Sequence, residues 1–153
     1  MDYTVENMEK LTVIGKVKRF GYEDTFDKIP LFWDEYYASG AAKQVCPCVG
    51  VSFCDQNEHS FPYMIGSFCE PDAPVPEGFE KRELEANTWV KFRVVGPLPG
   101  SIQKVNRQIF TQWLPNNTEY ETANNNNIEV YTEGDTKADD YESEIWLPVK
   151  QKV

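Results

Sequence analysis

Apolar residues recur along the chain with two different periods, which predict strands and helices. Leu11–Phe20 is rich in β-branched residues and alternates apolar with polar positions, as a half-buried strand does. Thr25–Ser39 instead repeats its apolar residues at spacings of three and four, which predicts an amphipathic helix. We expect Pro30 in the first turn of this helix and Gly40 just past its end.

A hairpin and a long loop follow this helix. Two apolar runs, Cys48–Asp55 and Phe61–Cys69, are joined by the polar turn Gln56–Ser60, which predicts a β-hairpin. Glu70–Gly78 then contains three prolines and a glycine, so we expect a loop there.

The same order of elements starts again after the loop. We expect Ser101 to cap the second helix and Leu114–Asn116 to stop it. The predicted elements are an edge-like segment Phe79–Leu84, a strand Thr88–Val95, a helix from Ser101 to about Trp113, and a hairpin of Asn127–Glu133 with Tyr141–Lys150. The apolar stripes are Ile29, Phe32, Trp33, Tyr36 and Tyr37 in the first helix, and Ile102, Val105, Ile109, Phe110 and Trp113 in the second.

Each half therefore has the order strand, helix, strand, strand, with pseudo-repeats at about 3–70 and 79–150 of a single domain spanning 1–153. This order predicts an α+β fold with an antiparallel sheet and two main helices. One such half leaves part of its sheet uncovered, so two halves are expected to meet around a central ligand pocket.

Composition narrows the classes of partner. A net charge of −10, from 25 acidic and 15 basic residues, repels phosphate backbones and argues against direct nucleic-acid binding. No run of 18 apolar residues exists, and Met1–Lys10 lacks the apolar core of a signal peptide, so we expect a cytoplasmic protein that neither enters nor spans a membrane, with reduced cysteines.

No residue type forms a recognisable catalytic or metal-binding motif. Cys46 and Cys48 have a C-x-C spacing without a second pair, and His59 is the only histidine. Cys54 and Cys69 lie in predicted strands, where we expect small buried apolar side chains. The sequence therefore predicts no metal, no cofactor and no assigned catalytic residue.

The last hairpin carries the candidate site. Because side chains alternate along a strand, one face of the final strand should pack on the helices and the other should carry Glu144 and Trp146. A simple pairing of the hairpin puts Glu129 close to Glu144, with Tyr131 and Trp146 nearby. Carboxylates among aromatic rings suit a delocalised organic cation. Alternation alone leaves open that this face is simply exposed to solvent. The expected helix-packing residues are Ile145, Leu147 and Val149, and Ile128 and Val130 form the apolar face of the preceding strand.

Four short pieces in this order carry a family resemblance: Ile29–Trp33, Trp113–Pro115, Ile128–Tyr131 and Glu144–Val149. Together they resemble the GyrI-like, or AraC-type, effector-binding domain, and most closely its stand-alone, integron-cassette-like members. The resemblance implies a central pocket for bulky hydrophobic cations, with the acids of the last hairpin, Glu129 and Glu144, meeting the charge. The implied aromatic walls are Trp33, Tyr37, Trp113, Tyr131 and Trp146.

Three functions remain open at this point. The first is the binding of a small molecule. Transcription regulators of this group carry a DNA-binding region before the effector domain, so this chain could be a ligand-sensing protein of the same type that has no such region of its own. The second is a hydrolase of strained-ring compounds, in which the pair Glu129 and Glu144 would act as general acid and base. The third is a protein-interaction or inhibitor domain, and a protein partner or a homodimer is possible in any of them.

Overall fold

The structure is a computed structural model that describes residues 1–153. The chain divides into two compact units: an N-terminal unit, Lys10–Glu85, and a C-terminal unit that joins Met1–Glu9 to Ala86–Val153. Each unit has an antiparallel sheet packed against one main helix, so the α+β prediction is confirmed. The predicted pseudo-repeats were inferred from the order of strands and helices. The two units are defined by their internal contacts, so they do not test the repeats, which stay a prediction.

Strands and helices follow the predicted order, with two additional strands, one at the start of the chain and one after the second helix. None of the helices has the length and apolar composition that crossing a membrane requires. The strands are β1 (Tyr3–Met8), β2 (Leu11–Gly21), β3 (Val49–Ser52), β4 (Ser60–Phe68), β5 (Glu80–Leu84), β6 (Asn87–Val95), β7 (Tyr120–Thr122), β8 (Asn127–Tyr131) and β9 (Glu142–Gln151). The helices are α1 (Thr25–Ala38), α2 (Gly100–Gln108) and α3 (Leu114–Asn116), with a π-helical stretch at Ile109–Trp113 and 3₁₀ turns at Tyr22–Asp24 and Ala41–Lys43.

The N-terminal unit is a four-stranded sheet in the order β3–β4–β2–β5. The predicted hairpin is confirmed as the antiparallel pair β3 and β4, and β5 pairs with the start of β2. Helix α1 covers one face of this sheet because its apolar stripe meets alternate residues of β2 and β4. The core of this face consists of Ile14, Phe20, Phe32, Tyr36, Ala41, Val45, Phe61, Tyr63, Ile65 and Phe79.

Helix α1 differs from the prediction at its start. Pro30 lies inside the helix, not in its first turn, because the helix already begins at Thr25, after the 3₁₀ turn. A proline there removes one backbone hydrogen bond, and the packing of Phe32 and Tyr36 into the core compensates for that loss. The C-terminal prediction is confirmed: Gly40 follows the helix with φ 82°, a conformation that glycine adopts without steric cost.

The C-terminal unit is a sheet in the order β1–β6–β9–β8, with β7 pairing along the other end of β9. Strand β1 was not predicted. Its residues Tyr3–Met8 pair antiparallel with Asn87–Phe92, far along the chain. The helix-covered face of this sheet has a core of Val90, Phe92, Val94, Ile102, Ile109, Ile145, Leu147 and Val149.

The second helix differs from the prediction in three respects. Ser101 does not cap it, because its hydroxyl donates to the backbone oxygen of Gly96 (3.0 Å) and holds the preceding loop. Phe110 is 39% exposed and outside the core, since it lies about 100° round the helix from the buried Ile109. Leu114–Asn116 forms a last helical turn before the chain becomes extended at Asn117.

Candidate functional site

Glu129 and Glu144 leave the sheet on opposite faces. In the antiparallel pair of β8 and β9, Glu129 lies opposite Ile145 and Val130 lies opposite Glu144. Directly opposite residues share a face, so the predicted proximity of the two carboxylates is wrong. The loop of residues 132–141 is too long to fix the register as a tight turn does, and a shift of one residue exchanges the faces.

The two faces have different neighbours. We call the side with α2 the helix-covered face; it includes Ile145, Leu147 and Val149, as predicted. Glu129 belongs to this face because it lies opposite Ile145. We call the other side the Trp146 face. It includes Glu144 and also Ile128, which is fully buried opposite Trp146.

The Trp146 face already contains a protein cation. Lys91 Nζ lies 4.0 Å from the centroid of the Trp146 ring, a cation–π contact. The same ammonium lies 2.5 Å from the Glu6 carboxylate. The Trp146 indole donates from Nε1 to Glu144 (3.1 Å), and the Trp89 ring lies 6.4 Å from that of Trp146. Aromatic and acidic groups of this face therefore interact with Lys91.

The helix-covered face of β8 carries a row of polar side chains beside an apolar core. Asn127, Glu129 and Tyr131 alternate along the strand on this face, and all three are half-buried. Tyr131 packs against the core cluster of α2 and β9. Ser143, opposite Tyr131, is 1% exposed. Sequence reasoning missed Asn127 and Ser143, although their alternation with Glu129 and Ile145 was a signal that could have found them.

Trp113 lies away from this row. Its ring centroid lies 5.0 Å from that of Phe92 on β6 and 5.4 Å from that of Tyr3 on β1, both edge to face. Strands β6 and β1 lie on the side of β9 remote from β8. Within the C-terminal unit, Trp113 is therefore part of the helix–sheet packing at some distance from Glu129.

Trp33 and Tyr37 belong to α1 in the N-terminal unit. Trp33 is half-buried and donates from Nε1 to the hydroxyl of Tyr63 (3.0 Å), a buried tyrosine of β4 that the sequence analysis did not single out. The ring of Tyr37 lies 6.4 Å from that of Trp33, and Tyr37 is 58% exposed. These side chains form an aromatic group on the helix and strand of this unit.

Tyr36, next to this group, is held in the core. Its hydroxyl donates to the backbone oxygen of Val45 (2.6 Å), and the residue is 1% exposed. Burial, with smaller contributions from Cys46 and Tyr37, raises the pKa of Tyr36 to about 12. Tyr36 is therefore a neutral structural residue.

The four cysteines are free thiols. Cys54 is exposed and follows the end of β3, and Cys69 is half-buried beyond the end of β4, so the prediction of two buried strand cysteines is wrong. Strand β3 ends at Ser52 and strand β4 ends at Phe68, each before the C-terminal end of the apolar run that predicted it. Burial raises the pKa of the Cys69 thiol.

A groove of about 370 Å³ lies elsewhere, between β2 and α1. Its walls include Lys18 and Glu35, which form an exposed ion pair (3.4 Å), and Leu31. None of the candidate residues from the sequence lines this groove.

Comparisons with known proteins agree with this fold. No curated protein matches the chain significantly. The structure of SAV2435 bound to tetraphenylphosphonium is similar with a TM-score of 0.87 at 20% identity, over 98% of this chain and 94% of that one. A protein from Staphylococcus aureus MU50 gives 0.78 at 22% identity, over 98% and 99% of the two chains. An integron cassette protein from the mobile metagenome of Vibrio cholerae gives 0.72 at 17% identity, over 97% and 95%.

At these identities the solved structures establish the fold alone, and the family follows from a separate match. The family model for the integron-associated effector binding protein matches residues 4–149, nearly the whole chain. The resemblance to integron-cassette-like effector-binding proteins is thereby confirmed. The chain belongs to Cass2, the family of integron-associated effector binding proteins.

Proposed function

We propose that this effector-binding protein takes a bulky aromatic cation against the helix-covered face of its C-terminal sheet, with Glu129 supplying the opposing charge. The observation that carries this proposal is the position of Glu129. It is a half-buried carboxylate on the same face as Ile145, and it stands beside the half-buried ring of Tyr131. Burial of a carboxylate beside apolar groups is costly, and an opposite charge placed next to it reduces that cost.

The energetics favour a cation with an apolar body. Two opposite charges about 4 Å apart attract by about 1 kcal/mol in water and about 4 kcal/mol near a protein surface. An aromatic face adds about 0.5–2 kcal/mol for a cation placed over it, and Tyr131 offers such a face. A hydrophobic ligand body would bury further apolar surface at about 25 cal/mol per Å².

Glu129 and Glu144 differ in their neighbours, and this difference bears on which of them contacts a ligand. Glu144 accepts a hydrogen bond from Trp146, and the ring of Trp146 is in contact with Lys91. A ligand cation on that side would compete with the Lys91 ammonium for the face of the Trp146 ring. Trp146 and Glu144 remain predictions from the sequence, as do Trp33 and Tyr37 in the N-terminal unit.

The similar protein SAV2435 has been solved bound to tetraphenylphosphonium, a cation of this class, which supports the choice of ligand. The net charge of −10 also favours cations over phosphate backbones as partners. We therefore infer that ligand binding, rather than contact with DNA, is the activity of this chain.

The hydrolase alternative loses its structural basis. General acid–base work by two glutamates needs both at one substrate, whereas Glu129 and Glu144 lie on opposite faces.

Calorimetric titration tests the proposal. Tetraphenylphosphonium and the neutral triphenylphosphine oxide present similar phenyl groups and differ in charge. The wild-type protein is expected to bind the cation at least about tenfold more tightly, which corresponds to about 1.4 kcal/mol. In Glu129→Gln this preference is expected to disappear, because the charge is removed and the shape is kept. Equal binding of both compounds by the wild type would refute the proposal.

A further inference from the structure

Strand β2 is paired on one of its two sides over only part of its length. On that side β5 pairs with Leu11–Gly15, whereas β2 continues to Gly21. On the other side β2 pairs with β4 from Val13 to Gly21. The side of Lys16–Gly21 that faces away from β4 is therefore an open strand edge, about 20 Å long at the usual rise of a strand.

The backbone of this edge has hydrogen-bonding groups for a further strand. In an antiparallel pair, alternate residues direct their N–H and C=O groups to the partner, and the residues between them direct theirs to the other side. The bond from Tyr22 N to His59 O (3.2 Å) extends the pairing of β2 with β4 and assigns the even-numbered residues of β2 to β4. Val17, Arg19 and Gly21 therefore direct their backbone groups to the open side.

Helix α1 forms the second wall of a groove along this edge. The groove of about 370 Å³ between β2 and α1 has Lys18–Gly21 on its strand side. On its helix side it has Lys28, Leu31, Phe32 and Glu35, and Leu31 is 63% exposed. A groove between an open strand edge and a helix suits an extended peptide, which binds there through main-chain hydrogen bonds and places alternate side chains on the wall.

In the C-terminal unit, a long strand has its edge covered almost completely. Strand β1 pairs with Asn87–Phe92 of β6, and the backbone oxygen of Asp2 accepts a hydrogen bond from Arg93 N (2.9 Å). Only Val94–Val95 of β6 extend beyond this pairing. No strand of the chain has the corresponding position at Lys16–Gly21.

The charges on the open edge argue against a second copy of the same edge as its occupant. Two copies that pair antiparallel about a twofold axis place residues of one face directly opposite each other. If the axis passes Val17, Lys16 lies opposite Lys18. If it passes Lys18 or Arg19, that residue lies opposite its own copy. Like charges directly opposite each other destabilise a strand pair, so the edge favours a strand of opposite charge.

We propose that this edge and α1 bind an extended acidic segment of a partner protein as an added strand. Lys18 and Phe20 lie two residues apart on the face that α1 covers, where Lys18 Nζ lies 5.7 Å from the centroid of the Phe32 ring. Residues of the added strand opposite Lys18 and Phe20 share this face. The partner segment therefore has a carboxylate and an apolar side chain two positions apart, and the apolar one packs against Leu31.

Lys18 is the basic residue that meets the partner's carboxylate. Arg19 already forms an ion pair with Asp55, and it lies on the other face of the strand. The ion pair of Lys18 with Glu35 (3.4 Å) is more than half exposed on both sides, so it is weak and leaves the ammonium accessible to a second carboxylate.

Two peptides of opposite charge test the proposal. The sequence acetyl-Thr-Glu-Thr-Leu-Thr-Glu-Thr-amide has two carboxylates and one apolar side chain on one face and reads the same in both directions. The control peptide has lysine in place of both glutamates. In NMR titrations of the labelled wild-type protein, we expect saturable shifts of the Val17, Arg19 and Gly21 amides, and at least about fivefold tighter binding of the glutamate peptide.

Matched variants separate strand addition from charge. Val17→Pro removes an N–H that faces the open side, and proline is tolerated at such an edge position. We expect it to fold and to lose binding of the glutamate peptide, while Val17→Thr, which keeps the N–H and the β-branch, binds like the wild type. Lys18→Gln is expected to reduce the preference for the glutamate peptide severalfold.

Each of the contrary results overturns the proposal. Absence of saturable shifts at millimolar peptide, or equal binding by folded Val17→Pro and the wild type, would show that no strand adds here. Equal binding of both peptides would contradict the acidic partner. A wild-type dimer in sedimentation that Val17→Pro converts to a monomer would assign the edge to a second copy instead. Tetraphenylphosphonium binding is a separate property, and Val17→Pro is expected to leave it unchanged.

Discussion

Glu129 lies opposite Ile145 in the β8–β9 pair, whereas Glu144 lies opposite Val130, so these two carboxylates project to different sides of one sheet. On one side the neighbours are an apolar core and unpaired oxygens. On the other they are Trp146 and the ammonium of Lys91. From this difference in surroundings we propose that Glu129, rather than Glu144, meets the ligand.

The contact of Lys91 with Glu6 and Trp146 is expected to stabilise the fold. The Lys91 side chain is only 14% exposed, and it joins β6 to β1 through Glu6. Lys91→Met removes the charge and keeps the alkyl stem, and we expect it to lower the free energy of unfolding by about 1–2 kcal/mol. Urea denaturation measures this loss.

Lys10→Met is the matched control, because its ion pair with Glu83 is more than half exposed on both sides. Such a pair contributes about 0–1 kcal/mol. Equal losses in both variants would show that burial of the Lys91 contact has no energetic consequence.

Gly15 and Gly66 pair where β2 and β4 approach closely. A Cβ at Gly66 would lie 1.9 Å from the backbone oxygen of Ile14, and one at Gly15 would lie 2.1 Å from that of Ile65. We expect Gly66→Ala to destabilise the protein by about 3 kcal/mol or more, because the clash is with backbone and the strands have to separate. Gly100→Ala, at the start of α2 with open space around it, should leave stability nearly unchanged. Thermal unfolding of both variants makes the comparison, and similar midpoints would contradict it.

Trp113 gives a test that separates packing from binding. Its ring contacts Phe92 and Tyr3, so we expect Trp113→Leu to lower the free energy of unfolding by about 2 kcal/mol. The affinity for tetraphenylphosphonium should change by less than about twofold, because the ring lies two strands away from β8. A large loss of affinity in a stably folded variant would instead support the aromatic wall that the sequence predicts.

Tyr36 makes stability depend on alkaline pH. Its pKa rises from 10.0 unfolded to about 12 folded, so the folded state retains a proton that the unfolded state loses. Its contribution, about 2–3 kcal/mol, is therefore complete below pH 10 and is lost between about pH 10 and 12. Tyr36→Phe is expected to flatten this part of the stability profile, and Tyr37→Phe, at an exposed position, is the control. Parallel profiles for Tyr36→Phe and the wild type would contradict the assignment.

The sequence predicted most strands and helices correctly, but it did not predict the register in which β8 and β9 pair. Alternation identified β9 and the side of it that packs on α2, because Ile145, Leu147 and Val149 form an unbroken apolar series. Its register with β8 is set by contacts that no local pattern records: Tyr141 donates to the backbone oxygen of Thr132 (2.8 Å), and Thr132 donates to that of Glu142 (2.6 Å). A one-residue error in register then placed Glu129 on the wrong side.

Strand β1 was missed for a related reason. Its residues are mostly exposed, and its partners in β6 lie some eighty positions further along the chain, so neither burial nor a neighbouring turn marks it in the sequence. Pro30 was misplaced because proline at a helix start is only a local preference, whereas the helix already begins at Thr25, directly after the 3₁₀ turn at Tyr22–Asp24.

The most direct test of the central claim compares Glu129→Gln with Glu144→Gln in calorimetric titrations with tetraphenylphosphonium. The two variants lose the same charge from the same hairpin, and unfolding curves are measured to check that both are folded. If Glu129 meets the cation, Glu129→Gln loses at least about tenfold in affinity, or about 1.4 kcal/mol, while Glu144→Gln binds like the wild type. The reverse result, with affinity lost in Glu144→Gln and kept in Glu129→Gln, would contradict the account and place the ligand on the Trp146 face.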